Sequence, residues 1–201
     1  MSRAAIVLAA GRGERMGGPK AWLLIHGKPL LLLHVERARA AGCNPVIVVV
    51  SEERIASVVG GIAGVSVAVS REPDQAGSLA VGVRALRELT TKDELAVLIT
   101  PVDALPAKAT TIAALFGALD SGAHAATPLH GGRGGHPIAC RLDALADYAN
   151  ATTPPPLRDC LTALGAARVR VDVDDASVGV DLDTPADVIA LTGNAPRFWT
   201  D

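Results

Sequence analysis

The chain has 201 residues and a formal net charge of −2. This length suits one sizeable α/β domain better than two independent ones. The near-neutral charge excludes a broad basic surface for nucleic acid, and an aromatic content of 2% leaves few rings on which single-stranded bases could stack. We therefore expect a single domain spanning 1–201 whose partners are small anions rather than nucleic acids.

Cysteine content and hydropathy favour a reducing, aqueous compartment. Cys43, Cys140 and Cys160 are odd in number and lack the C-x-x-C spacing, which argues against a disulfide framework and against a structural zinc site. No apolar run reaches the roughly 18 residues that cross a bilayer, and no signal-like region precedes the first strand. We expect a cytoplasmic location without a membrane partner.

Apolar runs alternate with helix-type periodicities along the chain. The apolar runs predict strands from residue 4 and at 45–50, 65–70, 95–100, 123–128, 138–141 and 167–173. The periodicities predict helices at 29–41, 51–59, 78–89, 109–121, 143–149, 157–165 and 185–191. This order predicts an α/β fold, a single Rossmann-like domain with a mostly parallel twisted sheet and helices on both faces. Residues 193–201 are expected to form a flexible tail.

The segment 6–20 is a buried-looking strand that runs into a loop with four glycines, two arginines and a lysine. Glycines let backbone N–H groups approach an anion and cationic side chains neutralise it, so the loop predicts phosphate binding. The dinucleotide fingerprint does not fit, because Gly17 is one residue too far from Gly13. The ATPase P-loop fails because Lys20 precedes Ala21 instead of Ser or Thr. The alternative is a surface loop that binds no ligand.

Carboxylates follow two later segments. Asp103 follows the apolar strand at 95–100, and its oxygens suit a hard cation such as Mg²⁺ or could cap the next turn. Asp181 and Asp183 precede a helix start at Thr184, and we favour Asp183 for the ion because it adjoins that turn; the alternative is that both acids only complement the helix dipole. Because ligands collect beyond the carboxyl ends of parallel strands, these groups should share one rim with the glycine loop.

Four motifs in order give the chain a resemblance to a known family. The segment from Leu8 to Lys20 resembles the signature of the MobA/MocA-like nucleotidyltransferases, of the molybdenum cofactor cytidylyltransferase type. Residues 77–83 and 180–187 resemble two further motifs of this family, and 132–138 resembles the Arg-Gly-His-Pro segment of its molybdopterin-directed members. The resemblance implies a nucleotide-diphospho-sugar transferase-like fold and a Mg²⁺-dependent transfer of a nucleoside monophosphate from an NTP to a phosphorylated acceptor.

The same resemblance implies a role for each candidate residue. Lys20 would contact the α-phosphate and Arg15 the β- and γ-phosphates, and Mg²⁺ would be bound by Asp103 with Asp183 or Asp181. The other residues implied to bind nucleotide are Leu8, Ala9, Ala10, Gly11, Gly13, Gly77 and Ser78. Ser78 could instead cap its helix. Gly135 and His136 would face the acceptor, although His136 could serve only to order the entry to the next strand.

Details of the motifs bear on the substrates. Ala10 and Pro19 resemble the cytidylyl-transferring members, which favours CTP, and the Gly-His-Pro segment favours molybdopterin as acceptor. Such an enzyme could also make a transient contact with a protein that accepts the finished cofactor. Three alternatives stay open: transfer to a sugar 1-phosphate or another small phosphomonoester, a non-catalytic nucleotide- or cofactor-binding protein, and a nicotinamide oxidoreductase, which the glycine spacing disfavours.

Overall fold

The structure is a computed structural model that describes residues 1–51, 59–90 and 94–200. The short helix expected at 51–59 falls mostly on 52–58, which lie outside the described ranges. Within those ranges, no helix is long and apolar enough to cross a membrane.

The strands contribute a large part of the buried core. In the described residues they are β1 (Ser2–Ala9), β2 (Leu24–Ile25), β3 (Lys28–Pro29), β4 (Val46–Val50), β5 (Val65–Val69), β6 (Leu95–Pro101), β7 (Ala125–His130), β8 (Arg133–Gly134), β9 (Ile138–Arg141) and β10 (Arg168–Asp172). The longer strands match the predicted apolar runs to within two residues at each end. The β2–β3 hairpin and the short strand β8 were not predicted, because two-residue strands leave no periodic signal.

Helices fill the connections. The described residues contain α1 (Leu30–Ala40), α2 (Gln75–Leu89), α3 (Ala109–Asp120), α4 (Ala146–Asn150), α5 (Leu157–Ala163) and α6 (Pro185–Thr192). The helix expected from Ser78 begins three residues earlier, because the Asp74 carboxylate accepts the Gly77 N–H at 2.7 Å and provides the N-cap.

One sheet organises the domain, with strand order β10-β7-β9-β6-β1-β4-β5 and β8 paired to β7. Strand β1 pairs in parallel with both β4 and β6, whereas β9 runs antiparallel between β6 and β7. The parallel pairing brings the carboxyl ends of β1, β4 and β6 to one edge. The expected single α/β domain with a mostly parallel sheet is confirmed.

Side chains alternate across β1 and enter two separate cores, one on each face of the sheet. Ala5 and Val7 pack with residues of α1 and α3, and Ile6 and Leu8 pack with residues of α2 and α5. Burial on both faces explains why the central strands read as continuous apolar runs rather than alternating ones.

The C-terminal residues differ from the flexible tail that the sequence predicts. The Arg197 carbonyl accepts the Leu24 N–H at 2.8 Å, and the Trp199 N–H donates to the Trp22 carbonyl at 2.8 Å. The Trp22 and Trp199 rings lie 4.9 Å apart, and the Phe198 ring lies against Gly18 of the glycine loop. Backbone pairing and aromatic packing therefore fasten this segment to the loop.

Truncation of the chain after Ala195 is expected to lower the free energy of unfolding by about 2–4 kcal/mol, because it removes two backbone hydrogen bonds and two packed aromatic rings. Urea denaturation followed by far-UV circular dichroism measures the change. A matched truncation after Trp199 keeps these contacts and should unfold like the full chain. Equal stability of the two truncated chains would show that the tail contributes nothing.

Candidate active site

Three segments that are distant in sequence meet at the Lys20 ammonium group. Its Nζ donates to Asp103 Oδ2 at 2.9 Å and to Asp183 Oδ1 at 2.8 Å. Lys20 is buried, whereas the two carboxylates are partly exposed. The cationic group of the glycine loop and the acids of two later motifs therefore share one site at the carboxyl edge of the sheet, as the order of strands predicts.

Close contact between the backbones of Gly13 and Gly18 shapes the glycine loop. Gly13 has φ of 66°, and a Cβ there would overlap the Gly18 carbonyl oxygen. The Gly18 N–H donates to the Gly13 carbonyl at 3.3 Å, which closes the loop before Lys20 begins a short 3₁₀ turn. Only glycine fits this position without moving the opposing backbone, and the loop in turn sets the direction of Lys20.

Asp103 is held by a short antiparallel bridge between its turn and the segment before α6. The Leu182 N–H donates to the Asp103 carbonyl at 2.8 Å, and the Leu105 N–H donates to the Val180 carbonyl at 3.0 Å. Ala104 and Asp181 are the bridge partners. This pairing couples the two acidic motifs, so that the carboxylates of Asp103 and Asp183 reach the same ammonium.

Asp183 is fixed by the start of α6, as the sequence predicts. Thr184 is the N-cap, and Asp187 Oδ2 accepts the Thr184 N–H at 2.7 Å and the Asp183 N–H at 3.0 Å. The side chain of Asp187 is thus occupied by the helix start, whereas that of Asp183 turns toward Lys20.

Electrostatics in this cluster keep Lys20 charged. Burial alone would lower the pKa of Lys20, but its hydrogen bonds to Asp183 and Asp103 outweigh burial and raise the pKa above its ordinary value. Burial raises the pKa of Asp181, and the negative charges of Asp103 and Asp183 add to this rise, while His136 and Lys20 oppose it. The site therefore holds a permanent cation among crowded carboxylates at neutral pH.

Arg15 lies at the rim of the same cluster. Its guanidinium is 3.5 Å from Asp183 Oδ1, and 74% of its side chain is exposed. Exposed pairs of this kind are worth at most about 1 kcal/mol, so the contact holds Arg15 only weakly. The side chain is therefore free to turn toward an anion that enters the site.

A first cleft of about 600 Å³ opens above this cluster, within the size range of small-molecule sites. Of the residues predicted to bind nucleotide or metal, nine line it: Leu8, Ala10, Gly11, Gly13, Arg15, Lys20, Ser78, Asp103 and Asp183. Ala9, Gly77 and Asp181 lie outside its lining. Ala9 is buried in the core, and Asp181 pairs through its backbone with Ala104. The geometry therefore favours Asp183 over Asp181 as the residue that faces a ligand.

The structure places Gly77 and Ser78 inside the first turn of α2. A Cβ at Gly77 would come within 2.6 Å of Glu72 Cβ, so glycine lets the chain before α2 pack against the helix. The Ser78 hydroxyl lies 3.2 Å from the Ser70 hydroxyl, and the side chain is buried. The capping role considered for Ser78 is wrong, because Asp74 caps the helix. Ser78 still reaches the wall of the first cleft.

His136 and Gly135 line a second cleft of about 590 Å³, which adjoins the first. A Cβ at Gly135 would overlap the Val178 carbonyl oxygen, and the His136 N–H donates to that carbonyl at 2.8 Å. Burial lowers the pKa of His136, although Asp181 and Asp103 oppose the shift. The ring is therefore neutral at pH 7, and its buried Nδ1 has no hydrogen-bond partner among the described residues.

His34 supports the site although the sequence offers no motif for it. Its Nε2 lies 2.8 Å from the Ala104 carbonyl, next to Asp103, and the ring is buried between α1 and this turn. As a hydrogen-bond donor, it fixes the turn that carries the Asp103 carboxylate. A single histidine at helical spacing in α1 reads as an ordinary core position, so sequence reasoning gave it no role.

His34 predicts a pH-dependent stability. Burial lowers the pKa of His34 to about 4, against 6.5 when exposed, although its hydrogen bonds to the backbone at Ala104 and Val102 and the charge of Asp103 oppose the shift. The unfolded chain therefore binds the proton first, so stability should fall by about 3 kcal/mol as pH drops from 6.5 to 4. Urea denaturation across this range measures it.

The matched variant His34→Gln can still donate to the Ala104 carbonyl but does not titrate. We expect its stability to depend less steeply on pH between 6.5 and 4 than that of the unmodified chain. The same pH dependence in both proteins would contradict this account of His34.

The two carboxylates that contact Lys20 suit a hard divalent cation. Oxygens of Asp103 and Asp183 face the same space, and carboxylate oxygens are the ligands that Mg²⁺ prefers. Across the described part of the chain, no group of three or more His, Cys, Asp or Glu side chains is arranged to hold a metal ion. An ion at this pair of carboxylates would therefore complete its coordination with phosphate oxygens and water, as Mg²⁺ does in nucleotide sites.

Curated relatives match parts of this chain. A 3-deoxy-manno-octulosonate cytidylyltransferase from Tolumonas auensis is 38% identical over 78 residues, which are 39% of this chain and 30% of that protein. A bifunctional protein GlmU from Anaeromyxobacter sp. is 35% identical over 120 residues, which are 57% of this chain and 24% of that protein. The chain thus spans less than a third of the length of these relatives.

Solved structures share the fold over nearly the whole chain. Rv0371c from Mycobacterium tuberculosis H37Rv has a TM-score of 0.74 at 21% identity, covering 96% of this chain and 99% of that one. Its homolog from Mycobacterium sp. strain JC1 has a TM-score of 0.72 at 25% identity and covers 94% of both chains. The model of the MobA-like NTP transferase domain matches residues 5–169 and so includes the glycine loop, Lys20 and Asp103. Because this family model matches most of the chain, the chain belongs to the MobA-like NTP transferase family.

Proposed function

We propose that the protein transfers a nucleoside monophosphate from an NTP to a phosphorylated small molecule and releases pyrophosphate. One observation carries the proposal: the buried Lys20 ammonium lies 2.9 Å from Asp103 and 2.8 Å from Asp183 in a cleft lined by the glycine loop. A cation beside paired carboxylates and a glycine loop suits a triphosphate with its divalent metal.

The chemistry needs charge stabilisation more than proton transfer. A phosphate oxygen of the acceptor attacks the α-phosphorus of the NTP, a new P–O bond forms, and the bond to the β-phosphate bridging oxygen breaks as pyrophosphate leaves. Because a phosphomonoester has a second pKa near 6, the attacking oxygen is already ionised at neutral pH. This reaction requires no dedicated general base.

Each residue of the cluster then has a task. Lys20 neutralises charge that develops at the α-phosphate, and its permanent positive charge suits that task. Arg15, exposed at the rim, binds the β- and γ-phosphates. Asp103 and Asp183 bind the divalent cation, which we propose to be Mg²⁺; when bound, such an ion neutralises the triphosphate and the departing pyrophosphate.

We assign CTP as the donor and molybdopterin as the acceptor. Ala10 and Pro19 in the glycine loop support the cytidylyl assignment, and the Gly-His-Pro segment that ends in Pro137 supports the pterin. In this assignment Ser78, with the first turn of α2, lies on the nucleotide side of the first cleft, and His136 lies on the acceptor side.

A sugar phosphate is the second candidate acceptor. The 3-deoxy-manno-octulosonate cytidylyltransferase of Tolumonas auensis, which shares 38% identity over 78 residues, is named for a sugar acid and so supports a sugar-derived acceptor in general rather than its phosphate. Both candidate acceptors would react at the same site, formed by the glycine loop, Lys20 and the carboxylates of Asp103 and Asp183.

Pyrophosphate release tests the proposal. The protein is incubated with MgCl₂ and each of the four common NTPs, together with molybdopterin, glucose 1-phosphate or no acceptor. We expect release with CTP and molybdopterin, at a rate well above that without acceptor. Release with GTP but not CTP would overturn the base assignment, release with glucose 1-phosphate alone would overturn the acceptor, and no release under any condition would overturn the transferase.

A further inference from the structure

The C-terminal residues pack against a part of the glycine loop that does not face the first cleft. We call residues 197–199 the C-terminal strap. The lining of the first cleft includes Gly13 and Lys20, but Gly18 and the strap are not among the described residues that form it. The Phe198 ring of the strap lies against Gly18, two residues before Lys20. The strap therefore acts on the site through the loop rather than by touching a ligand in the cleft.

The strap pairs with the chain that follows Lys20. Phe198 and Leu23 form an antiparallel bridge. Two backbone hydrogen bonds of 2.8 Å flank this bridge, one at Trp22 and one at Leu24. Antiparallel pairing fixes the position and direction of both segments that take part in it. The backbone immediately after Lys20 is therefore held by the strap.

The pairing begins at the last residue of the turn that carries Lys20. This 3₁₀ turn is Lys20–Trp22, all of it buried, and the Leu23 N–H donates to the Lys20 carbonyl at 3.1 Å. The Trp22 ring lies 4.9 Å from the Trp199 ring of the strap. Backbone and side-chain contacts at the end of the turn thus connect Lys20 to the strap.

The Phe198 ring holds the loop on the other side of Lys20. A Cβ at Gly18 would lie 3.0 Å from two carbon atoms of this ring, which is closer than most side chains approach. Gly13 and Gly17 have positive φ, whereas Gly18 does not, so the ring rather than the backbone conformation accounts for this glycine. The strap therefore contacts the loop both before and after Lys20.

We propose that Phe198 is a positioning residue for Lys20, because the strap sets the place from which the ammonium reaches the α-phosphate. This inference rests on the proposed transferase function and deepens it. A lysine side chain is a flexible stem, so its charge is only as well placed as the backbone that carries it. Asp103 and Asp183 hold the ammonium, and the strap holds the backbone.

Phe198→Ala removes the ring and tests the proposal. We expect kcat for nucleotidyl transfer to fall about 10- to 100-fold, since a shift of about 1 Å in a reacting group costs up to about 10²-fold. The KM for the acceptor should not change, because the described lining of the second cleft includes no residue between 10 and 20. Phe198→Leu keeps an apolar side chain against Gly18 and should recover part of kcat.

Gly18→Ala tests the same contact from the side of the loop. The added methyl group meets the Phe198 ring, so this variant should lower kcat by itself. In the double variant with Phe198→Ala the methyl group has room, and kcat should be no lower than in Phe198→Ala alone. A double variant whose loss equals the product of the two single losses would show independent effects and would overturn the proposal.

Phe116→Leu is the matched control for stability. Phe116 is the other phenylalanine of the chain and is buried in α3. Its ring packs against Arg3 at the amino end of β1, away from the glycine loop. The variant should melt at a lower temperature but keep its kcat where it is folded. If it loses as much kcat as Phe198→Ala, the loss comes from lower stability and the positioning role is wrong.

Binding of the α,β-methylene analogue of CTP with MgCl₂ separates this inference from the proposed function. Trp22 and Trp199 are the two tryptophans of the chain, so their fluorescence reports on the strap during the titration. If no acceptor supports pyrophosphate release but Phe198→Ala has a higher Kd than Phe116→Leu, the transferase is wrong and the strap still positions the loop. If release occurs and Phe198→Ala keeps full kcat, the transferase stands and the positioning role is wrong. No release with equal Kd values would overturn both.

Discussion

Replacement of Lys20 by Met should lower kcat for nucleotidyl transfer by about 10³-fold. The ammonium lies between Asp103 and Asp183 and is buried beside the glycine loop, whereas the Arg15 guanidinium lies at the exposed rim and, among the described residues, contacts only Asp183, so Arg15 is not placed to replace it. Met keeps most of the side-chain volume but leaves the developing negative charge on the α-phosphate without a partner. Lys20→Arg should not restore activity, because a planar guanidinium does not fit where a compact ammonium meets two carboxylates.

Lys28→Met is the matched control for Lys20→Met. Lys28 forms an exposed ion pair with Glu36 at 2.8 Å, away from the first cleft. We expect its kcat and KM to lie within about twofold of the unmodified chain, because exposed pairs contribute little. A Lys20→Met protein that melts normally and retains more than a tenth of the activity would remove Lys20 from the mechanism.

Asp103→Asn should also lower kcat by about 10³-fold, through loss of the divalent cation rather than loss of phosphate contact. Asn keeps the shape of the side chain and can still accept a hydrogen bond from Lys20, but it lacks the negative charge that a hard cation needs. Electron paramagnetic resonance of Mn²⁺ with a CTP analogue should show weakened ion binding. In Lys20→Met, by contrast, the ion should still bind.

Two further variants define the role of the acids. Asp172→Asn changes an exposed carboxylate on β10 and should leave both activity and Mn²⁺ binding intact. Asp183→Asn should resemble Asp103→Asn, and Asp181→Asn should have a much smaller effect, because Asp183 contacts Lys20 and Asp181 lies outside the first cleft. Full transferase activity in Asp103→Asn would remove this carboxylate from the proposed metal site. Nucleotide binding without any turnover in the unmodified chain would favour the non-catalytic binding protein left open by the sequence.

The parts of the fold that the sequence predicts are those with a clear local pattern. Apolar runs such as 46–50 belong to central strands buried on both faces, and long helices such as α3 carry clear periodicity and end signals. The errors have physical causes. The start of α2 depends on the Asp74 cap, and the docking of residues 197–199 depends on partners about 175 residues earlier in the chain, which no local pattern can show.

The residues of the candidate site also divide into those with a local sequence signal and those without one. The glycine loop, Asp103 and the helix start at Thr184 each have a local signal, so the sequence predicts that they meet at one rim. Nothing local identifies His34, whose hydrogen bond to the Ala104 carbonyl arises from tertiary packing. Asp175 is similar: its acidic segment is typical of a solvated turn, yet the side chain is buried and accepts the Lys108 N–H at 2.7 Å.

The central claim is that Lys20, Asp103 and Asp183 together bind a triphosphate and its metal ion. A crystal structure of the full chain with MgCl₂ and the α,β-methylene analogue of CTP tests it most directly. We predict that Mg²⁺ contacts both carboxylates and the phosphates, and that Lys20 Nζ lies within hydrogen-bond distance of the α-phosphate. A triphosphate bound outside the first cleft, or one bound there with its metal away from Asp103 and Asp183, would contradict the account.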